Sequence, residues 1–182
     1  MRDAIGKVTA VALEYAKIDA WDVADAVYAD LLKSKLKIRR VERLEFARGL
    51  CQLGHAMPDH AREVLTALGA GVLRGPGEPG GAAGQPGAAA SAPAVPPPPA
   101  VSVPVLSEAA LARQEKAVDA AYAVFQGIRK NYAETPTAEQ ARGEILLMVA
   151  HWRSLAQWQR SAALAGRFLA DNPTDRQLPQ HR

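Results

Sequence analysis

The sequence predicts an all-α protein made of antiparallel helix pairs in two halves. Three observations predict it. Apolar residues recur at spacings of three and four through most of residues 3–68 and 107–169, the period of an amphipathic helix. Apolar residues make up 48% of the 182, yet aromatics only 5%, so the share leans on alanine, the best helix former. Between the two helical stretches the composition changes to Gly, Pro, Ala and small residues with almost no charge. This divides the chain into a helical segment at 1–69, a linker at 70–106 and a second helical segment at 107–182, frayed from Thr174 onward.

In residues 3–18, Ala4, Ile5, Val8, Val11, Ala12, Tyr15 and Ile18 share one helical face. Asp19 is placed to cap a second helix over 20–34, with Asp22 favourable in its first turn. Its inward stripe is Val23, Ala24, Val27, Tyr28, Leu31 and Leu32. A third helix over 39–53 carries Val41, Leu44, Ala47, Leu50 and Cys51, and Gly54 is expected to end it. Pro58 opens a fourth, with Ala61, Val64, Leu65 and Leu68, expected to stop at Gly69.

The linker cannot bury enough apolar surface to offset its ordering entropy, so disorder is expected. Its glycines hold no three-residue period, which excludes a collagen segment. Pro96–Pro99 is expected to be locally extended. A plain linker is the better reading of it than a ligand for an aromatic-lined groove.

Ser107 then caps a long helix over 107–131, striped by Leu111, Val118, Ala121, Tyr122, Phe125 and Ile128. Gly127 inside it costs about 1 kcal/mol relative to Ala, which suggests close packing or a weak spot. Thr135 caps the next helix with Pro136 at its first position, and Ala141, Ile145, Met148, Val149 and Trp152 face inward. The last helix, over 157–171, presents Trp158, Ala162, Ala165, Phe168 and Leu169. The stretch 144–173 is the most regular in the chain.

Charge narrows the function. Twenty-two basic and 19 acidic residues leave a net +3, a mixed solvated surface from which no nucleic-acid partner is expected. The run Lys33, Lys35, Lys37, Arg39 and Arg40 reads as a solvated turn offset by Asp30, Glu42 and Glu45. The single cysteine, Cys51, excludes an internal disulfide and a multi-cysteine zinc site, and sits in an apolar run as a small buried residue. Asp3, Lys7, Glu14 and Lys17 break any secretory signal. No apolar run reaches the roughly 18–20 residues of a membrane span, so a soluble, by default cytoplasmic, chain is expected.

Little points to chemistry. His55 and His60 flank Pro58 at a spacing poor for a shared metal and read as turn and surface residues. His151 is expected at the edge of the inward face that carries Trp152. Asp22, Asp25 and Asp30 are helix-surface acids. No phosphate loop or activated nucleophile is visible. No catalytic residue, cofactor or metal is therefore expected.

Two helix pairs share a spacing pattern. In the first, the positions are Val8, Val11, Ala12, Tyr15, Ala24 and Tyr28; in the last, Ile145, Met148, Val149, Trp152, Ser161, Ala165 and Pro173. This resembles the tetratricopeptide repeat, in which a large residue fills the space beside a small one. Phe46, Ala47 and Leu50 fit in a second pair, and Ala121 and Phe125 in the helix over 107–131. Arg43, Ser161 and Ala165 depart from the usual residue types. KNYAETPTAEQAR and FLADNP are distantly similar to repeats of bacterial cell-envelope assembly proteins. The resemblance implies an α-solenoid whose packing residues are Ala12, Tyr15, Ala24, Tyr28, Ala47, Leu50, Ala121, Phe125, Trp152, Phe168 and Pro173.

It also implies a non-catalytic interaction scaffold that binds a peptide or helix of a protein partner. The first helix of each pair lines the binding face in that family, which makes Lys7, Glu14, Glu144 and Arg153 candidate exposed contacts. Trp158 is a further candidate, because no helix follows to cover the apolar face of the last one. The alternative is a structural assembly or spacer region, either a homo-oligomer or part of a longer repeat protein.

Overall fold

The computed structural model describes residues 2–34, 40–73 and 106–173. The side chains of 2–6 and 70–73, most of the expected linker, Lys35, Lys37 and Arg39 of the basic run, and the tail from Thr174 lie outside the described residues. All regular structure among the described residues is helical: α1 (Arg2–Lys17), α2 (Trp21–Lys33), α3 (Val41–Gly54), α4 (Pro58–Leu73), α5 (Glu108–Asn131), α6 (Pro136–Ser154) and α7 (Trp158–Asp171).

The caps of the second half follow the sequence. The Ser107 hydroxyl accepts from the Ala110 N–H and the Thr135 hydroxyl from the Ala138 N–H, each satisfying an amide that the helix start leaves unpaired. Pro136 occupies the first turn of α6. Asp19 does not cap α2. The residue before α2 is Ala20, with no side-chain cap, and Asp19 sits instead in the left-handed region at φ 60°.

Helix order follows from side-chain pairs. Asp22 meets His55 and Asp25 meets Arg48, so α3 runs antiparallel to α2. Arg62 of α4 reaches the Ala16 carbonyl and Asp19, and Gly69 lies against Leu13, so α4 runs back along α1 and closes a ring of four helices. The two halves meet where α5 packs along α3. Phe46 and Phe125 stack at 5.4 Å between centroids, tilted by 47°, a geometry that adds about 0.5–1.5 kcal/mol beyond burial. Gly49 leaves no room for a side chain against the Phe125 ring. The apolar faces of the two halves are therefore docked, and one hydrophobic cluster runs from Ala12 to Phe168. Fully burying each large side chain in it stabilises by about 1.5–3 kcal/mol relative to exposure.

The glycines act differently from expectation. Gly54 is the last residue of α3, as expected, but it is not a left-handed cap, and the residue after it, His55, keeps right-handed helical backbone. Its role is to admit the Trp21 indole, which stands where a Cβ would. Gly69 does not end α4, which continues to Leu73. A Cβ there would stand 2.8 Å from Leu13 Cδ1. Gly127 has nothing within 4 Å of the Cβ position, so close packing does not explain it.

Helix α1 is rotated from its expected face, and on α7 the expected apolar residues divide between a buried and an exposed side. Among the described side chains of α1, Thr9, Ala12 and Ala16 are buried, while Val11, Tyr15 and, just beyond the helix, Ile18 are exposed. On α7 they are Ser161, Leu164 and Phe168, while Trp158 and Leu169 are exposed. On α2, Val23 is exposed and Trp21 is buried.

Candidate interaction surfaces

The loops that join α1 to α2 and α6 to α7 have the same backbone geometry. In the first, the Ala20 N–H donates to the Tyr15 carbonyl at 3.0 Å and the Asp19 N–H to the Ala16 carbonyl at 3.3 Å. In the second, the Gln157 N–H donates to the Trp152 carbonyl at 2.8 Å and the Ala156 N–H to the Arg153 carbonyl at 2.9 Å. This is the paired bonding of a helix that ends in a left-handed residue. That residue is Asp19 in one loop and Ala156 in the other, at φ 60° and 56°. Each loop runs from an aromatic, Tyr15 or Trp152, to a tryptophan six residues on, Trp21 or Trp158, which starts the second helix.

Matching the loops aligns the two pairs residue for residue, and their surroundings are opposite. Trp21 is 3% exposed, under α3; Trp158, its counterpart, is 64% exposed. Trp152 and Met148 are buried beside α5; their counterparts Tyr15 and Val11 are exposed. The first pair is covered on the side facing α3 and α4 and bare on the other. The last pair is covered on the side facing α5 and bare on the other. The exposed large hydrophobic residues among the described ones are Val11, Tyr15, Ile18, Val23, Trp158 and Leu169. All six belong to these two bare sides.

The surface of α7 is unusual for solvent. Trp158, Ala162 and Leu169 follow helical spacing along its outer face, and none carries charge. The charges of α7 point to α5. Arg160 bonds Glu115 at 3.1 Å and lies over Trp152 at 5.8 Å; Arg167 bonds Asp119 at 3.0 Å and lies over Tyr122 at 4.2 Å. These pairs line an open groove of about 450 Å³ between α5 and α7. Below it the Tyr122 hydroxyl donates to Asp171 at 2.5 Å, and burial and that carboxylate push the phenol up from its ordinary value.

Of the candidates named from sequence, Lys7, Glu14 and Arg153 are exposed, and Glu14 is held by Lys17 at 2.6 Å. Trp158 is exposed as expected. Glu144 is not. It is 9% exposed and lies 2.7 Å from His60 Nε2. The reason is the docking of the halves, which brings α6 against α3 and within reach of His60 at the start of α4. Among the packing residues, Ala12, Ala24, Tyr28, Ala47, Leu50, Ala121, Phe125, Trp152 and Phe168 are buried. Tyr15 and Pro173 are exposed, Tyr15 because α1 turns its smaller face, Ala12 and Ala16, inward.

Sequence reasoning missed the burial of Ser161. Its hydroxyl donates to the Val149 carbonyl at 3.0 Å, so a serine stands in a small-residue position without an unpaired polar atom. It missed Trp21 too, although the six-residue spacing shared with Trp152 and Trp158 was a signal. Cys51 is fully buried, and burial, with the nearby Asp25 charge, pushes its thiol up to about 12. A thiol of that kind is inert. No group of His, Cys, Asp or Glu among the described residues is arranged to hold a metal. None of the described helices is long and apolar enough to cross a membrane.

No protein-family model, no curated protein and no solved structure matches this chain. The two bare helix-pair faces, and not a likeness to another protein, are therefore what bears on function.

Proposed function

We propose that this protein is a non-catalytic interaction scaffold built of tetratricopeptide-like helix pairs, and that it binds a helix of a protein partner on a bare face of its terminal pairs. The observation that carries the reading is the contrast between Trp21 and Trp158. The same position after the same loop is covered by a helix in one pair and left 64% exposed in the other. Fully burying a large apolar side chain is favourable by about 1.5–3 kcal/mol. An uncharged helical face that presents Trp158 and Leu169 therefore gains from a partner helix, as α2 gains from α3. Aromatic side chains in well-packed pockets are the usual centres of binding energy.

The test compares partner retention by the full chain and by a Trp158→Ser, Leu169→Ser variant. Both residues are exposed, so helix content and the unfolding midpoint are expected to stay unchanged while the partner is lost. Equal retention by both proteins would refute a role for the α7 face.

A further inference from the structure

We propose that the partner helix comes from a second copy of this chain: the α7 face of one molecule covers the bare α1–α2 face of the next, head to tail. This rests on the reading of the bare faces as interaction surfaces and names their occupant.

Three observations favour a second copy. First, the two bare faces are different surfaces of one molecule, each apolar and each on a terminal pair: Val11, Tyr15, Ile18 and Val23 on one, Trp158 and Leu169 on the other. Contact between unlike surfaces of identical chains is heterologous and repeats from copy to copy.

Second, the required packing already exists inside the molecule. The side of α6–α7 that matches the bare side of α1–α2 is covered by a single helix, α5. Its contacts include Val118, which lines the groove with Trp152 and Leu164, and Tyr122, which bonds Asp171. The stripe Trp158, Ala162 and Leu169 has the spacing for α7 to play the part of α5 on a neighbouring copy. Ala162 in its middle lets the helix axes approach. Association then continues an interface that the fold already uses.

Third, the charges agree. Where α5 meets α7 it offers Glu115 and Asp119 to Arg160 and Arg167. The α2 counterpart of Arg160 is Val23, so an acidic helix such as α5 would bury a carboxylate there without a partner. The outer stripe of α7 carries no charge and meets Val23 without that cost. Glu14, three residues from Val11, is paired with Lys17 on its own helix at 2.6 Å, so the margin of the α1 face sets no unpaired carboxylate against the uncharged stripe.

Sedimentation velocity of the full chain tests this with two variants. Trp158→Ser with Leu169→Ser removes the α7 face; Val11→Ser with Ile18→Ser removes the α1 face. All four residues are exposed, and circular dichroism checks that each variant folds. The wild type is expected to gain mass with concentration beyond a dimer, or to close into a ring. Each variant alone is expected to lose association and sediment as a monomer. Mixed in equal amounts, the two are expected to form a two-chain species and nothing larger, because one intact face remains on each.

A wild type that stays monomeric at every concentration would overturn the proposal. So would association that survives in either variant alone, since that places the contact elsewhere or makes it symmetric. A monomeric wild type that still loses its partner on Trp158→Ser, Leu169→Ser substitution would remove self-association and leave the interaction reading standing. Loss of both results would remove both.

Discussion

The indole of Trp21 occupies the space in which a side chain on Gly54 would begin. This contact fixes how closely α3 approaches α2, and it explains a glycine that sits in helical backbone and needs no special φ. Gly54→Ala is therefore expected to destabilise the protein by about 1–3 kcal/mol through overpacking. Gly49→Ala, which meets the Phe125 ring across the contact between the halves, is expected to do the same. Urea midpoints check both, and a neutral result would mean that the helices are further apart than described.

The opposite is expected at two backbone positions. Gly127 is helical with open space around its Cβ position, so Gly127→Ala is expected to stabilise by up to about 1 kcal/mol. Ala156 holds a left-handed φ of 56°, a conformation that costs a residue with a Cβ about 1–2 kcal/mol. Ala156→Gly relieves that strain at the expense of unfolded-chain entropy, for a net gain of about 0.5–1 kcal/mol. Thermal or urea unfolding of each variant reads the sign directly.

The two counterpart tryptophans should respond differently. Trp21→Ala removes a buried ring and is expected to cost about 3–5 kcal/mol. Trp158→Ala, at 64% exposure, is expected to change the stability of the isolated chain by no more than about 0.5 kcal/mol. A large loss with Trp158→Ala would mean that this ring supports the fold and is not a contact surface.

His151 supplies a pH signature. Its Nε2 is buried with no hydrogen-bond partner, and burial lowers its pKa from the ordinary value of 6.5. The unfolded chain therefore takes up this proton first as pH falls. The contribution to stability is full above about 6.5, declines as pH drops below it, and levels off once the folded form is protonated too. His151→Leu is expected to flatten the fall in urea midpoint between about pH 7.5 and 5 relative to wild type. Identical slopes would contradict the burial of the ring.

Local signals carried much of the fold. Ser107, Thr135 and Pro136 named their helix starts because capping depends on a few adjacent residues. Ala24, Tyr28, Phe125 and Trp152 were assigned inward, and are buried. The face of α1 was not legible. Val8, Val11, Ala12, Leu13, Tyr15 and Ala16 put apolar groups almost all round the helix, and which side turns inward is decided by α2 and α4. On α7 the apolar residues divide between two faces: Phe168 is buried, while Trp158 and Leu169 are exposed. The docking of α3 on α5 joins residues far apart in sequence, and neither stripe encodes it. Glu144 followed from that docking, and its partner His60 stands 84 positions away. The opposed exposure of Trp21 and Trp158 depends on which helix follows each pair, so their shared spacing alone could not distinguish them.

The most direct measurement of the central claim places a photo-crosslinking amino acid at position 158 of the full chain and maps its adducts by mass spectrometry. The account predicts adducts between chains, with the head-to-tail arrangement directing them to α1 and α2 around Val11, Tyr15 and Val23. Adducts confined to the chain's own α5 and α6, at every concentration and with no partner added to the mass, would contradict it.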